Sequence, residues 1–307
     1  MATNPLPFVH VLSLNWNGRE YLKDFCDTIL ALDYPHYKVS VIDNASSDGS
    51  VDFLENNYPS IEVIRNRENL GYAAGYNVGI QKAYEGGAGY FFILNNDTVV
   101  PPETLRNLVI VALTDSSIGF VTGKVYFNEN RSMLQTAGKK DKLWQATVVN
   151  VGQNQIDKGQ FDVQRDYDYL DDVFWLVKRD VYEKLGGYDP EFFLYWEETD
   201  WCARAKGKGF RLVYTPTAKI YHKVSLSTGG GSNPKKSYHI RRNAVLFYYR
   251  HKPRPVFLYK LILVVTEIFD WRRVAAFIVK GKYKENFKAE WRGFVDGLSY
   301  VASGKFK

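Results

Sequence analysis

Three carboxylates crowd into four positions in Trp196-Glu197-Glu198-Thr199-Asp200-Trp201, between two indoles and after the apolar run Phe192-Phe193-Leu194-Tyr195. Carboxylates repel one another, and each costs free energy to take out of water. Such a cluster either opens a helix toward solvent or works on a ligand. Acidic residues favour the first turn of a helix, and residues 199–205 can form that helix. A second concentration of polar groups lies in the first hundred residues. Asn15 and Asn17, then Asp43 and Ser46, then Asn96 and Asp97 each follow a short apolar run. Singly these are ordinary turn residues. Massed along one edge they are what a nucleotide site needs.

The elements that would position them read as alternating strands and helices. Residues 9–14, 39–42, 61–64 and 90–94 are β-branched or apolar runs of strand length. Between them lie helical patterns, with Leu22, Phe25, Ile29 and Leu32 on one face of the first and a small-residue helix over 71–84. The alternation predicts a mostly parallel sheet with helices on both sides, whose ligands bind beyond the carboxyl ends of the strands. Residues 128–172 are polar and read as a partly irregular excursion. Residues 173–185 are apolar with a helical part closed by Gly186-Gly187. Residues 225–234, rich in Ser and Gly, read as a mobile loop or lid. From Tyr238 onward the chain reads as helical, basic and aromatic.

With 45% hydrophobic and 16% aromatic residues, the chain of 307 suits a packed globular protein. Cys26 and Cys202 have no metal-like spacing, which points to a reducing compartment. No signal peptide is visible, and the apolar run 255–269 contains Lys260 and Glu267 and is too short to span a bilayer. The expectation is a cytoplasmic protein, peripheral on the inner face of the cell membrane. Net charge is +6, but residues 235–307 carry 17 basic and 5 acidic residues. That asymmetry predicts a main domain over 1–234 and a basic helical region over 235–307 with an anionic partner.

In their order and spacing, several motifs resemble those of family-2 glycosyltransferases with the GT-A fold, especially bacterial rhamnosyl- and galactofuranosyl-transferase-like members. They are Leu14-Asn15-Trp16-Asn17, Val41-Ile42-Asp43-Asn44-Ala45-Ser46-Ser47-Asp48-Gly49, Asn69-Leu70-Gly71-Tyr72-Ala73-Ala74-Gly75-Tyr76-Asn77, Leu94-Asn95-Asn96-Asp97, Gly186-Gly187-Tyr188-Asp189, the acidic cluster and His222. The resemblance covers residues 8–221 and continues weakly to the C-terminus. It implies a Rossmann-like α/β domain with a C-terminal helical extension. The implied activity is inverting, metal-dependent transfer of a sugar from a UDP or dTDP sugar to a glycan or lipid-linked acceptor in cell-envelope polysaccharide synthesis.

The resemblance also implies roles. Asp43 accepts from the nucleobase imide N–H, with Asn15, Trp16, Asn17 and Ser46 around base and ribose. Gly71, Gly75 and Asn77 mark the turn and helix that approach the nucleotide; the alternative for the glycines is tight helix–strand packing. Asn95-Asn96-Asp97 stands where the family has Asp-x-Asp, so Asp97 is the one carboxylate for Mn²⁺ or Mg²⁺ and Asn96 contacts ribose or a metal-bound water. His222, 24 positions after Glu198, is the second candidate ligand, and imidazole suits Mn²⁺ better than Mg²⁺. Trp175, Trp196 and Glu197 fall on the acceptor or sugar side. Glu198 stands where the family usually has an aspartate base. Asp200 is the second candidate base, or else a partner for Arg204 one helical turn away.

Basic-aromatic helices like those around Arg250, Arg254, Trp271, Arg272, Arg273, Phe277, Lys280 and Trp291 suit an anionic membrane interface, a packed subdomain or a homodimer contact. No nucleic-acid recognition motif accompanies the charge. Two rival readings stand beside transfer. A nucleotidyltransferase would need a glycine-rich basic loop after the first strand, which Asn15-Trp16-Asn17-Gly18-Arg19 does not resemble. A non-catalytic nucleotide- or sugar-binding protein would explain the amides at Asn95 and Asn96.

Overall fold

The computed structural model describes residues 6–223, 233–270 and 284–306. The first half alternates as its apolar periodicity dictates: β1 (Val9–Asn15), α1 (Arg19–Ile29), β2 (Tyr37–Asp43), α2 (Ser50–Asn57), β3 (Glu62–Arg65), α3 (Gly71–Glu85) and β4 (Tyr90–Leu94). Helix α1 buries Leu22, Phe25, Cys26 and Ile29, one face at helical spacing. Strand β4 is buried throughout, as a strand covered on both faces must be.

The second half builds the rest of the sheet. It comprises β5 (Thr98–Val99), α4 (Thr104–Ala112), β6 (Ile118–Phe127), β7 (Asn130–Thr136), β8 (Lys139–Lys140), β9 (Val149–Asn150), β10 (Arg165–Asp166), β11 (Phe174–Lys178), α5 (Arg179–Leu185), α6 (Glu197–Gly207) and β12 (Arg211–His222). The main path of the sheet runs β10-β12-β6-β11-β4-β1-β2-β3, with β11 antiparallel to both neighbours. The chain leaves β1 toward β2 and β3 on one side and returns as β4 on the other, so a topological switch point lies at β1. Asn15 is in register with Asp43 there. At the far end, β5 pairs with the last residues of β12, setting Thr98 opposite His222. The excursion over 128–172 contains β7 to β10, four short strands between irregular segments.

The C-terminal region is α7 (Pro234–His251), α8 (Arg254–Ile268) and α9 (Lys284–Ala302). The helix begins four residues before the expected Tyr238, because Asn233 Oδ1 caps it by accepting from Lys235 N and Lys236 N. The division at 234/235 does not mark a break in the core. Ala244 to Tyr248 are buried in the same apolar cluster as Leu12, Ile93, Trp175 and Trp201. Most of the loop expected over 225–234, and Trp271, Arg272, Arg273, Phe277 and Lys280, lie outside the described residues.

Helix α7 also holds a strained turn. Phe193, Tyr195 and Trp196 have φ of 49°, 68° and 77°, a backbone region that side-chain-bearing residues occupy at a cost of ~1–3 kcal/mol each. Asn243, fully buried on α7, donates through Nδ2 to the carbonyls of Phe192, Leu194 and Tyr195 at 2.6, 3.0 and 2.8 Å. Trp196 Nε1 donates to Ile240 O at 3.1 Å. Replacing Asn243 by Leu removes its hydrogen bonds to the three carbonyls, each worth ~0.5–1.5 kcal/mol. The expected result is a loss of more than ~2 kcal/mol in urea unfolding; an unchanged midpoint would show that the turn holds without its pin.

Candidate active site

A cavity of about 390 Å³ opens at the carboxyl ends of β1 and β4, within the size range of small-molecule sites. Trp16, Gly71, Asn96 and Asp97 line it, with Tyr72, Phe193 and Tyr195. Asn15, Asn17, Asp43 and Ser46 are not on its wall; they form a bonded platform beside it. Asn15 Nδ2 donates to Asp43 Oδ1 and Ser46 Oγ, both at 3.0 Å. Asn15 Oδ1 accepts from Asn96 Nδ2 at 2.7 Å. Asp43 Oδ2 accepts from Ser46 N at 2.9 Å, and Asn17 N donates to Ser46 Oγ at 2.9 Å. Two strand ends and the Asn96 turn are thereby locked to one another. Gly18 completes the platform: a Cβ there would stand 2.5 Å from Asn96 Nδ2 and 2.8 Å from Asn15 Oδ1.

The register between β5 and β12 brings Asp97 and His222 together. Asp97 Oδ1 and His222 Nε2 are 3.0 Å apart and both side chains are buried. Gln135 Oε1 lies 2.7 Å from His222 Nδ1. That contact orients the ring so that Nε2 faces the carboxylate. An imidazole nitrogen and a carboxylate oxygen held this close can serve one cation together. The separation is close to the cis edge of an octahedron with bonds of about 2.1 Å. The donor set therefore fits Mn²⁺ or Mg²⁺. Among the described residues no group of three or more His, Cys, Asp and Glu is gathered for a metal, so Asp97 and His222 would hold such a cation as a pair.

Several expected site residues are placed elsewhere. Gly75 does not reach the cavity; its Cβ would meet Leu14 and Asn44 at 2.8 and 3.2 Å, so its smallness serves the packing of α3 on β1. Asn77 is turned away, donating to Tyr188 O at 2.8 Å and accepting from Tyr188 N at 2.9 Å. Trp175 is wholly buried between Phe120 and Trp201 and offers no face to an acceptor. Trp196 packs inward on Phe247 and Tyr248. In both cases the aromatic surface is buried as core. Asp200 is no base. It is fully buried and accepts from Arg204 at 2.7 Å, Arg250 at 2.9 Å and His251 at 2.7 Å, tying α6 to α7. Burial pushes its carboxyl up, but the His251 hydrogen bond and the Arg204 charge outweigh that and hold it near 2.

Glu197 and Glu198 do not face solvent either. Glu197 is 3% exposed, and its Oε2 has no hydrogen-bond partner. Burial first, then the neighbouring Glu198 and Asp172, push it well above the usual carboxylate range. Glu198 Oε1 accepts from Lys139 Nζ at 2.7 Å and Thr199 Oγ1 at 3.0 Å. Lys139 and Asp172, along with the Tyr188 hydroxyl 2.9 Å from Asp172 Oδ2, are members of this cluster that sequence reasoning missed. Nothing in a polar, irregular stretch distinguishes a buried lysine from a surface one. Lys235, Lys236 and His239, at the start of α7, line the cavity mouth and were likewise unforeseen.

The sequence profile described as Glycosyl transferase family 2 matches residues 11–186. N-acetylglucosaminyl-diphospho-decaprenol L-rhamnosyltransferase of Mycobacterium tuberculosis is 24% identical over 270 residues, covering 81% of this chain and 86% of that protein. An uncharacterized protein of Sinorhizobium fredii is 24% identical over 220 residues, which span 68% of this chain but 23% of its own length. Among solved structures, the mannosyltransferase PcManGT from Pyrobaculum calidifontis, in complex with GDP-Man and Mn²⁺, superposes over 95% of this chain and 87% of its own, with a TM-score of 0.60 and 16% identity. S. aureus TarS 1–349, in complex with UDP-GlcNAc, covers 96% of this chain and 81% of its own, with a TM-score of 0.59 and 14% identity. The architecture is the GT-A fold.

The carboxyl cluster makes stability depend on pH. Burial, then the charges of Glu198 and Asp171, push Asp172 up to about 8. Between ~4, where a carboxyl titrates in the unfolded chain, and about 8, the folded state binds the extra proton. Stability therefore falls as pH rises through that window. Asp172→Asn should flatten the fall in thermal midpoints measured from about pH 5 to about pH 9. Parallel curves for variant and wild type would contradict a protonated Asp172.

Proposed function

The chain belongs to glycosyl transferase family 2, and from that premise we propose that it transfers a sugar from a UDP or dTDP sugar to a lipid-linked or glycan acceptor, with inversion at the anomeric carbon. The observation that carries the reading is the pairing of His222 with Asp97, which lines a cavity together with Trp16, Gly71 and Asn96. The strand-end platform supports the nucleotide half. Asp43 uses one lone pair on each oxygen within the platform, and a carboxylate has capacity for further donors such as a nucleobase imide. Asp97 and His222 would hold Mn²⁺ or Mg²⁺. When bound, the cation supplies charge neutralisation to the leaving diphosphate.

The acceptor half rests on Glu198. Its Oε1 is engaged by Lys139 and Thr199, while its Oε2 makes no hydrogen bond among the described residues. That oxygen takes the proton of the attacking hydroxyl as the bond to the anomeric carbon forms and the diphosphate leaves. One displacement at one face inverts the centre. The Mycobacterium tuberculosis relative is named for a decaprenyl-diphosphate-linked acceptor, which supports a lipid-linked acceptor here.

The reading also includes contact with a membrane surface. The outward face of α8 presents Leu258 and Ile262, 57% and 60% exposed, and Phe269 just after the helix is 48% exposed. Basic residues predominate in the surrounding sequence. Among the described residues no helix is long and apolar enough to cross a membrane.

Nucleotide release from a panel of UDP, dTDP and GDP sugars, with and without Mn²⁺, tests the activity. Glu198→Gln should keep nucleotide binding and lose ~10²–10⁴ in turnover. Retained turnover would remove Glu198 from the chemistry, and retained anomeric configuration in early product by NMR would reject the single displacement. For the membrane contact, the full-length double variant Leu258→Glu/Ile262→Glu should float less with anionic liposomes than wild type. Equal flotation sinks that part of the reading.

A further inference from the structure

Among the described residues, Lys139 is the one cation bonded into a group of four buried or nearly buried carboxyls. Its ammonium lies 2.7 Å from Glu198 Oε1 and 3.2 Å from Asp171 Oδ2, and its side chain is 11% exposed. A buried lysine is tolerated only when paired, because taking its charge out of water costs several kcal/mol. The backbone leaves it little choice of position. Lys139 N donates to Tyr169 O at 2.9 Å and Tyr169 N donates to Lys139 O at 3.3 Å. The preceding Gly138 has φ of 113°, and its missing Cβ makes room for the Tyr167 ring, 2.3 Å from where that atom would be. The lysine stem is thus threaded into the cluster from a fixed point on β8.

We infer that Lys139 is a positioning residue for sugar transfer: it holds Glu198 by one oxygen, leaves the other without a hydrogen bond to the described residues, and sets a fixed cation against that carboxyl among its acidic neighbours. The inference rests on Glu198 being the base. The groups facing it are Asp171 and Asp172 from the segment before β11, Glu197 and Cys202 from α6, and Tyr188 from the turn after α5. Burial keeps the Asp172, Glu197, Cys202 and Tyr188 groups in their protonated forms by raising each of them. Glu198 and Asp171 are the two carboxyls bonded to Lys139. An opposite charge at such range favours the ionised carboxylate by ~1–3 pH units. Removing it leaves Glu198 beside Asp171 with no ammonium bonded between them.

The pH dependence of nucleotide release distinguishes this role from a purely architectural one. The assay uses the donor turned over in the sugar-nucleotide panel, with Mn²⁺ present. Lys139→Met should move the acid limb of kcat up by at least about one pH unit, so that turnover recovers in alkaline buffer, with donor KM unchanged. Lys139→Arg, which keeps a cation, should restore most of the wild-type profile. Asp171→Asn should move the limb the other way, because Glu198 then has the ammonium to itself, and it remains informative where Lys139→Met does not fold. An acid limb that stays in place in Asp171→Asn and in folded Lys139→Met, while Glu198→Gln is inactive, overturns the role of Lys139. Activity retained in Glu198→Gln overturns the base assignment, and the inference with it.

Discussion

The site depends on a turn that the chain would not adopt by itself. Phe193, Tyr195 and Trp196 take left-handed backbone angles immediately before α6. The strain is offset by Asn243, whose amide reaches three carbonyls of the turn. The same turn caps another helix: Phe193 O accepts from Tyr72 N at 2.8 Å, at the start of α3. Its ring stacks at 5.3 Å on His239 of α7 and occupies the space that a Cβ on Gly71 would need. One residue thus joins α3, the turn before α6 and the C-terminal helix α7. Wherever the turn moves, Glu197 and Glu198, which begin α6, move with it.

Charge is handled differently on the two flanks of α6. Asp200 is surrounded by Arg204, Arg250 and His251 and serves as a fixed anion joining α6 to α7. Breaking such a buried set by removing one partner costs ~3–5 kcal/mol. Glu197, Glu198, Asp171 and Asp172 share a single ammonium instead. An arrangement with more carboxyls than cations keeps some of them neutral and leaves the protonation of the rest sensitive to their neighbours. Proton-transfer groups work best when so tuned.

Local pattern carried the first half of the fold well. β1, β2 and β4 are visible as apolar runs, and the polar residues that end them do meet at one edge, because parallel register aligns Asn15 with Asp43. The pairing of Asp97 with His222 depends on β5 meeting the end of β12, a long-range register no local window contains. The family resemblance alone pointed to it. Tryptophans misled for a physical reason: a large aromatic face is suited equally to stacking on a sugar and to filling a core, and Trp175 and Trp196 do the latter. Asn243 and Lys139 were invisible because each sits among residues of similar polarity, in a basic helix and an irregular segment. Only burial distinguishes them.

The account stands or falls on Asp97 and His222 acting together on a nucleotide in the cavity at β1. Titration calorimetry of UDP, dTDP and GDP into the full chain, with and without Mn²⁺, measures this directly. The expected result is that one nucleoside diphosphate binds at least about tenfold more tightly with Mn²⁺, a coupling of ~1.4 kcal/mol, and that His222→Ala and Asp97→Asn each abolish the gain while the protein stays folded. Nucleotide affinity unaffected by Mn²⁺, or a metal effect that survives both substitutions, would contradict it.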